Sequence, residues 1–502
     1  MSEAAHSAAP SHTSEKTVTD PPKPNDPLAA LSLRRKIALT AFLCLAQFLD
    51  TFANSALFAA FPPISLELGI SNSNAVWIIS GYQLTFAALL LGSGRMSDLF
   101  NPKYVFLSGA ALLSVFSLGT GFAKDEVTLF ILRAFMGTKA IALFGSFGAI
   151  GNVIGLIIGA LIIQWATWPW LFYVFTIVGA VVFVAVAILS PSPERVVVLS
   201  NMQRFKRLDL GGIFLVTAGL VLFIFGVTAG SVNGWTSARC LAPLIISVFP
   251  IAAFFFWEAQ LPEEQAAIPP SLWRVRNFTI LVVGSATVHY WWFGVVQILF
   301  SWVWQNVYHW SPLITALHFL PLGAFAGLVT VTISSFRKYF PLKWILISAQ
   351  VLALVATLLL TFGDSPQRYF PFVFPGFILG AFGVATAYLT VNIAVFASTP
   401  PEKAGVVGSI FNCFEQVGSA AGSAIITSIQ TSVEVNHGGP NSFFGRRVGL
   451  WFLFGLVAIS TLSLLIFMHN DIPPSKTVIT DNERGLDAPV EKDSETVAKD
   501  EK

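Results

Sequence analysis

Long apolar runs separated by short polar turns make up most of the chain, and each run is close to the roughly 20 residues that a helix needs to cross a bilayer core about 30 Å thick. They lie near 37–60, 75–93, 105–123, 140–163, 171–190, 212–230, 241–258, 278–300, 313–335, 344–362, 371–396, 405–430 and 448–468. This pattern predicts an all-α, polytopic membrane protein. One further candidate is defective: Val127–Thr138 is twelve residues caught between Lys124-Asp125-Glu126 and Lys139, and as a helix it covers only about 18 Å.

Charge shows why the short run matters. Arg34, Arg35 and Lys36 place the N-terminus in the cytoplasm by the positive-inside rule. A second basic loop, 191–211, carries Arg195, Arg204, Lys206 and Arg207, so six crossings must precede it. Arg274 and Arg276, then Arg337, Lys338 and Lys343, fall on the same side, while the intervening loops offer chiefly Arg239 and Arg368. The distribution therefore requires a complete fourth crossing. Two readings follow: about 20 to 30 residues have been lost between Thr138 and Lys139, or the fourth helix is naturally half-spanning.

Composition agrees with the membrane class. Of 502 residues, 55% are hydrophobic and 11% charged, against about 25% charged in soluble domains, and the mean hydropathy is +0.71. A net charge of +2 argues against nucleic acid as a partner. The three cysteines suit neither a disulfide framework nor a metal site, and the seven histidines form no ligand cluster. No phosphate-binding loop is present, so ATP is not expected as the driver, nor is any cofactor or enzyme activity. Residues 1–33 lack the pattern of a cleavable signal peptide and, like the acidic tail 469–502, are expected to be disordered and cytoplasmic.

The stretch Gly94-Arg95-Met96-Ser97-Asp98-Leu99-Phe100-Asn101-Pro102-Lys103 reads as a short cytoplasmic hinge between the second and third spans. Glycine allows close backbone approach, Asn-Pro forces a turn, and Asp98 stands where it can pair with Arg95 or Lys103 or cap the next helix. A plain solvated turn is the alternative. Phe100-Asn-Pro-Lys103-Tyr104 is echoed 240 residues later by Phe340-Pro-Leu-Lys343-Trp344, which predicts two six-helix halves, 34–190 and 270–468, with two inserted helices in 212–260.

The spacing Gly-x-x-x-Asp-x-x-x-x-Lys in that hinge resembles the loop 2-3 signature of the major facilitator superfamily. Leu49-Asp50-Thr51 with Asn54, Ala56 and Pro62, then Trp77 through Tyr82-Gln83-Leu84, are similar to the first and second helices of its drug:proton antiporter-2 group. Leu208-Asp209-Leu210-Gly211-Gly212 and Pro270-Ser271-Leu272-Trp273-Arg274 through Phe278 resemble the entries to the first inserted helix and the helix after the insertion. The likeness covers about residues 34–470, and within the group it is nearest to fungal aminotriazole-resistance and low-affinity ammonium transporters. It implies a fourteen-helix fold, here with a truncated fourth span, and a monomer working on a small molecule together with protons. The plasma membrane is the expected location, the vacuolar membrane the alternative, with both termini cytoplasmic.

Asp50 is the most telling residue, because a mid-helix carboxylate among Phe48, Leu49 and Phe52 costs several kcal/mol unless paired, hydrated or protonated. Either it faces a cavity and exchanges protons, as the resemblance implies, or it ties helices together. Arg133 with Gly137 resembles the family's fourth-helix arginine signature, although Met136 stands where the family has glutamine; an arginine snorkelling from a helix end is the alternative. Gly148, Gly151, Gly155 and Gly159 share a helix face and resemble the fifth-helix antiporter signature, with Leu156 in place of proline and Ala160 in place of the second glycine. Close packing and a gating role both fit.

In the second half, Asn392, Asn412, Glu415 and Gln416 put polar groups into apolar helices, Asn412 and Gln416 on one face. They line the substrate path or bond helix to helix, and Glu415 joins Asp50 and Arg133 as a proton-coupling candidate. Asn54, Tyr82 and Gln83 are further path candidates. Trp302-x-Trp304 is expected in an interfacial belt, with cation-π binding as the alternative, and His289-Tyr290-Trp291-Trp292 is a second aromatic cluster. The leading function is transport by alternating access, with proton-coupled export of toxic organic compounds ahead of passage of ammonium or another small solute. A non-transporting sensor on the same scaffold is the competing class.

Overall fold

A computed structural model describes residues 31–70, 74–137, 148–191, 209–262, 265–266, 268–336, 339–399, 403–439 and 441–470, and among these there is no strand. The apolar runs are helices: α1 Leu33–Glu67, α2 Trp77–Leu99, α3 Pro102–Gly121, α4 Glu126–Met136, α5 Gly148–Trp165, α6 Pro169–Leu189, α7 Leu210–Asn233, α8 Ala238–Gln260, α9 Thr287–Trp302, α10 Pro312–Phe336, α11 Leu342–Leu360, α12 Phe374–Ala397, α13 Ala404–Glu434 and α14 Phe444–Phe467. Among the described residues, nine helices are long and apolar enough to cross a membrane, and α2 and α5 contain shorter apolar segments. Residues 140–147, expected to open the fifth span, lie outside the described residues.

Contacts repeat between the halves. α1 packs on α5 and α6, α3 on α6, and α4 on α2 and α3; in the same order α9 packs on α13 and α14, α11 on α14, and α12 on α10 and α11. The halves meet along α2 with α13 and α5 with α10, two pairs exchanged by the same correspondence. The inserted hairpin α7–α8 leans on α2 and α13 through α7. Large apolar side chains on α8 (Ile245, Phe249, Phe256) and α14 (Ile459, Ile466) stay exposed, as lipid-facing surfaces do.

The hinge differs from expectation. Gly94 through Leu99 continue α2, and only Phe100 and Asn101 separate it from α3. Asn101, not Asp98, caps α3, its side-chain oxygen accepting the Lys103 N–H at 3.0 Å, and Pro102 occupies the first turn where its missing N–H costs nothing. The side chains of Gly94, Arg95 and Asp98 lie outside the described residues. Lys103 reaches across instead, donating from Nζ to the Ser190 carbonyl at 2.6 Å, just past the end of α6. Its echo does likewise: Lys343 Nζ donates to the carbonyls of Leu465 and Met468 at 3.0 and 2.7 Å, at the end of α14. Each lysine satisfies orphan carbonyls at the negative end of a helix dipole.

α4 starts firmly and ends early. Asp125 caps it, accepting from the Thr128 N–H at 2.9 Å and the Thr128 hydroxyl at 2.7 Å; these bonds hold the exposed Asp125 carboxyl below the usual carboxylate range. The helix closes at Gly137 after 11 residues, about 16 Å of rise.

The charges of the intervening loops also need correcting, since Arg446 and Arg447 stand at the same end of the bundle as Arg239 and Arg368. Both are neutralised: Arg447 pairs with Asp364 at 2.7 Å and Arg446 with Glu434 at 3.4 Å.

Candidate functional site

Asp50 sits midway along α1 and is half-buried. The Tyr82 hydroxyl of α2 donates to its Oδ1 at 2.6 Å. The Arg133 guanidinium of α4 lies over the other side of Tyr82, 4.9 Å from the ring centroid. Tyr82, expected only to line the path, is therefore the link between the acid of the first helix and the cation of the fourth. Asn54, one turn beyond Asp50, bonds the Asp50 carbonyl at 3.1 Å and also reaches the Tyr82 hydroxyl.

Arg133 does not snorkel: its exposure is 0%. Its Nε donates to the Ile78 carbonyl at 3.2 Å, while both terminal nitrogens are without a hydrogen-bond acceptor among the described residues. Gly137 makes this possible. A Cβ there would collide with the Tyr82 carbonyl and the Thr85 hydroxyl, so glycine lets α4 press its last turn onto α2, with Thr85 donating to the Ala134 carbonyl. A guanidinium short of acceptors among the described residues thus stands beside a phenol that is bonded to a carboxylate, three ionisable groups joined in one chain of contacts.

Gly155 and Gly159 face α1 in the same half. A Cβ on Gly155 would stand 2.8 Å from the Phe52 Cα, and one on Gly159 would stand 2.6 Å from the Ala56 Cα. The two glycines thus dock α5 against the turns that follow Asp50. Gly148 and Gly151 lie on the same helix, but their surroundings are outside the described residues.

The second half contributes a different kind of group. Glu415 on α13 has 0% exposure, and neither carboxyl oxygen has a hydrogen-bond partner among the described residues. Burying a carboxyl this way costs several kcal/mol if it is charged. Gln416 beside it is buried, Asn412 bonds the Gly408 carbonyl of its own helix at 2.9 Å, and Asn392 is half-buried on α12. Gln83 spans the halves, its Nε2 donating to Ser419 Oγ at 2.7 Å.

The aromatic clusters are more interior than expected. Trp304 is buried among Trp310, Phe319, Tyr369 and Phe377, not set in an interfacial belt. Trp292 is buried with its Nε1 donating to Thr357 Oγ1 at 2.7 Å, and Trp291 fills the space left by Gly422. The side chains of His289 and Tyr290 are outside the described residues. Sequence reasoning overlooked the Glu434–Arg446 pair and Ser419. Glu434 lies 12 positions before Arg446, and only the fold makes the two partners.

A family model described as the Major Facilitator Superfamily matches residues 43–138 and 138–423 of this two-halved helical bundle. The chain belongs to the Major Facilitator Superfamily. The two matched stretches meet at residue 138, where α4 has just ended. This superfamily member is 28% identical over 417 residues to the puromycin resistance protein pur8 of Streptomyces alboniger, covering 77% of this chain and 80% of that one. It is 24% identical over 487 residues to the low affinity ammonium transporter of Saccharomyces cerevisiae, covering 91% and 93%. To the multidrug transporter mfsC of Aspergillus fumigatus it is 24% identical over 460 residues, covering 84% and 85%. Its fold is similar to a peptide transporter solved with sulfate (TM-score 0.60, 14% identity, 85% of this chain and 93% of that) and to the human organic anion transporter MFSD10 (0.55, 13%, 85% and 99%).

Proposed function

We propose that this chain is a secondary transporter of the drug:proton antiporter-2 type that exports toxic organic compounds in exchange for protons, working as a monomer in the plasma membrane with both termini in the cytoplasm. The Asp50–Tyr82–Arg133 chain carries this reading, because it joins an acid able to take up a proton to a cation that biases its release. Drug resistance among the relatives and the hairpin α7–α8 inserted between the two halves support it. Glu415 is the counterpart in the second half, a buried carboxyl available to a proton or a cationic substrate. Gly155 and Gly159, which set the position of Asp50 through α1, belong to the coupling machinery in this reading.

Proteoliposomes loaded at acid pH and offered puromycin at neutral outer pH provide the test. The wild type is expected to accumulate the drug, and Asp50→Asn to lose at least tenfold of this proton-driven uptake while still exchanging labelled for unlabelled drug. Full acid-driven accumulation by Asp50→Asn overturns the coupling role. The ammonium reading has its own support, since the yeast ammonium transporter aligns over the largest share of both chains among the relatives described above. Uptake of methylammonium by the same vesicles, without drug exchange, would decide for it.

A further inference from the structure

The inserted hairpin α7–α8 straddles the seam between the halves, since α7 packs on α2 of the first and on α13 of the second. Halves that rock against each other cannot both keep their grip on it, so one of the two contacts must slide.

The hairpin itself is stiff. Gly219 and Gly226 bring α7 so close to α8 that a Cβ on them would stand 3.3 and 3.0 Å from the backbone nitrogens of Ile251 and Leu244, and elements packed this closely transmit displacement rather than absorb it. Its two ends are fastened to the second half. At the end of the bundle that carries Lys103, Glu258 of α8 accepts the Ile268 N–H at 3.3 Å. There too Trp273, in the short helix Pro270–Trp273 ahead of α9, stands between Phe255 of α8 and Phe414 of α13, with ring centres 6.1 and 6.3 Å away. At the opposite end Trp235, in the turn between α7 and α8, donates from Nε1 to the buried Ser428 hydroxyl of α13. Between these ends Val227 is buried with Ala421 and Ala424 of α13.

The contact with the first half is smoother. Along α2 it runs from Gly92, where a Cβ would stand 3.0 Å from Ile213 Cγ2, past the Ala88 carbonyl, which accepts the Thr217 hydroxyl at 2.9 Å, to Trp77, whose ring centre lies 5.5 Å from that of Phe225. Glycine and alanine offer little that interlocks with α7, and a hydroxyl that leaves one helix carbonyl meets another a turn away. The covalent links agree: residues 261–269 join the hairpin to the second half, and the longer stretch 190–209 joins it to the first.

We infer that the hairpin belongs to the moving body of the second half, and that α7 slides along Gly92, Ala88 and Trp77 of α2 as the transporter changes the side to which it opens. The inference rests on transport by alternating access, not on which compound or ion is moved.

Spin labels at the exposed positions Phe256 of α8, Ile466 of α14 and Ile188 of α6 test it. The full-length chain, with Cys44, Cys240 and Cys413 replaced by alanine, is read in lipid nanodiscs at acid and neutral pH, with and without puromycin. The 256–466 distance is expected to stay constant, and the 256–188 distance to shift or split by about 5 Å. Two distances that behave alike, or a change confined to 256–466, overturn the inference. Disulfides give a second reading. Oxidation of Gly92→Cys with Ile213→Cys, close enough for a bond, is expected to cut puromycin flux at least tenfold, with recovery on reduction. Gly219→Cys with Ile251→Cys, inside the hairpin, is expected to leave flux within twofold. Full flux through the oxidised 92–213 pair also overturns the inference. A chain that moves no puromycin in any form sinks the export reading alone, and the spin-label distances then decide this one.

Discussion

α4 and α12 occupy matching places, each packed on the two helices before it in its half, and each meets a neighbour through a glycine. Gly137 presses on the Tyr82 carbonyl; Gly383 leaves room for the Ala349 carbonyl, which would lie 2.6 Å from a Cβ. Beyond that glycine they part. α12 runs on for fourteen residues to Ala397, whereas α4 has already stopped at Met136. A docking point that is central in one helix is terminal in the other, so α4 has kept its interface and lost what lies past it. The family match breaks at the same place. We propose that a segment is missing after Thr138, made of the helical remainder seen in α12 plus a turn, within the 20 to 30 residues that the charge pattern also requires.

The largest expected effect comes from putting that segment back. Transcripts read across codons 130–145 are expected to contain additional in-frame codons between Thr138 and Lys139, and the restored chain to export at least tenfold faster than the present one. Reads matching this sequence without interruption, together with equal flux from both forms, would break the comparison and make α4 a natural half-helix.

Next in size is the charge that α4 carries and α12 lacks. Arg133 is buried with two terminal nitrogens unaccepted among the described residues, so it adds little to stability; replacing such a charge with a hydrophobe of similar volume is often neutral or stabilising by about 1–4 kcal/mol. Arg133→Met is accordingly expected to melt no lower than the wild type and to lose proton-driven flux at least tenfold. A variant that unfolds would instead make Arg133 structural, and one that transports normally would remove it from the coupling chain.

Smaller again are the docking glycines. Adding a methyl at Gly137 or Gly383 pushes into backbone atoms of the neighbouring helix, and overpacking of this kind typically costs about 1–3 kcal/mol. Both alanine variants are expected to melt lower. Gly327→Ala, where a Cβ meets nothing within 4 Å, is expected to melt slightly higher, by the roughly 0.5–1 kcal/mol that alanine gains over glycine in a helix. Only Gly137→Ala is expected to lower flux more than stability, because it displaces Tyr82.

These contrasts show what the sequence could and could not carry. Lipid allows no irregular backbone across its core, so each span announced itself as an apolar run. The polar residues Gly94 to Asp98 read as a turn because they are soluble, yet a helix that has left the core can continue in water. Arg446 and Arg447 went unread because nothing in the sequence marks their partners, Glu434 at the end of α13 and Asp364 between α11 and α12. The role of Tyr82 was hidden for a related reason: a tyrosine on an apolar helix is ordinary until α1 and α4 arrive on either side of it. Asp50 and Arg133 were legible one at a time, because a charge in an apolar helix needs an explanation, but their connection exists only in three dimensions.

The smallest effect expected is also the one that tests the correspondence of the halves most directly. Lys103 and Lys343 occupy equivalent positions in the echoed motif and donate to the carboxyl ends of α6 and α14. A cation at a helix C-terminus contributes about 0.3–1 kcal/mol when solvated. Lys103→Met and Lys343→Met should therefore lower the melting temperature by similar small amounts, and the double variant by their sum, because the two sites share no partner. Arg35 already donates to the Ile188 and Leu189 carbonyls at the end of α6, so any inequality should leave Lys343 the more costly loss. A larger penalty at Lys103 would mean that the first-half turn does more than close a helix, and the likeness between the two motifs would then be one of sequence alone.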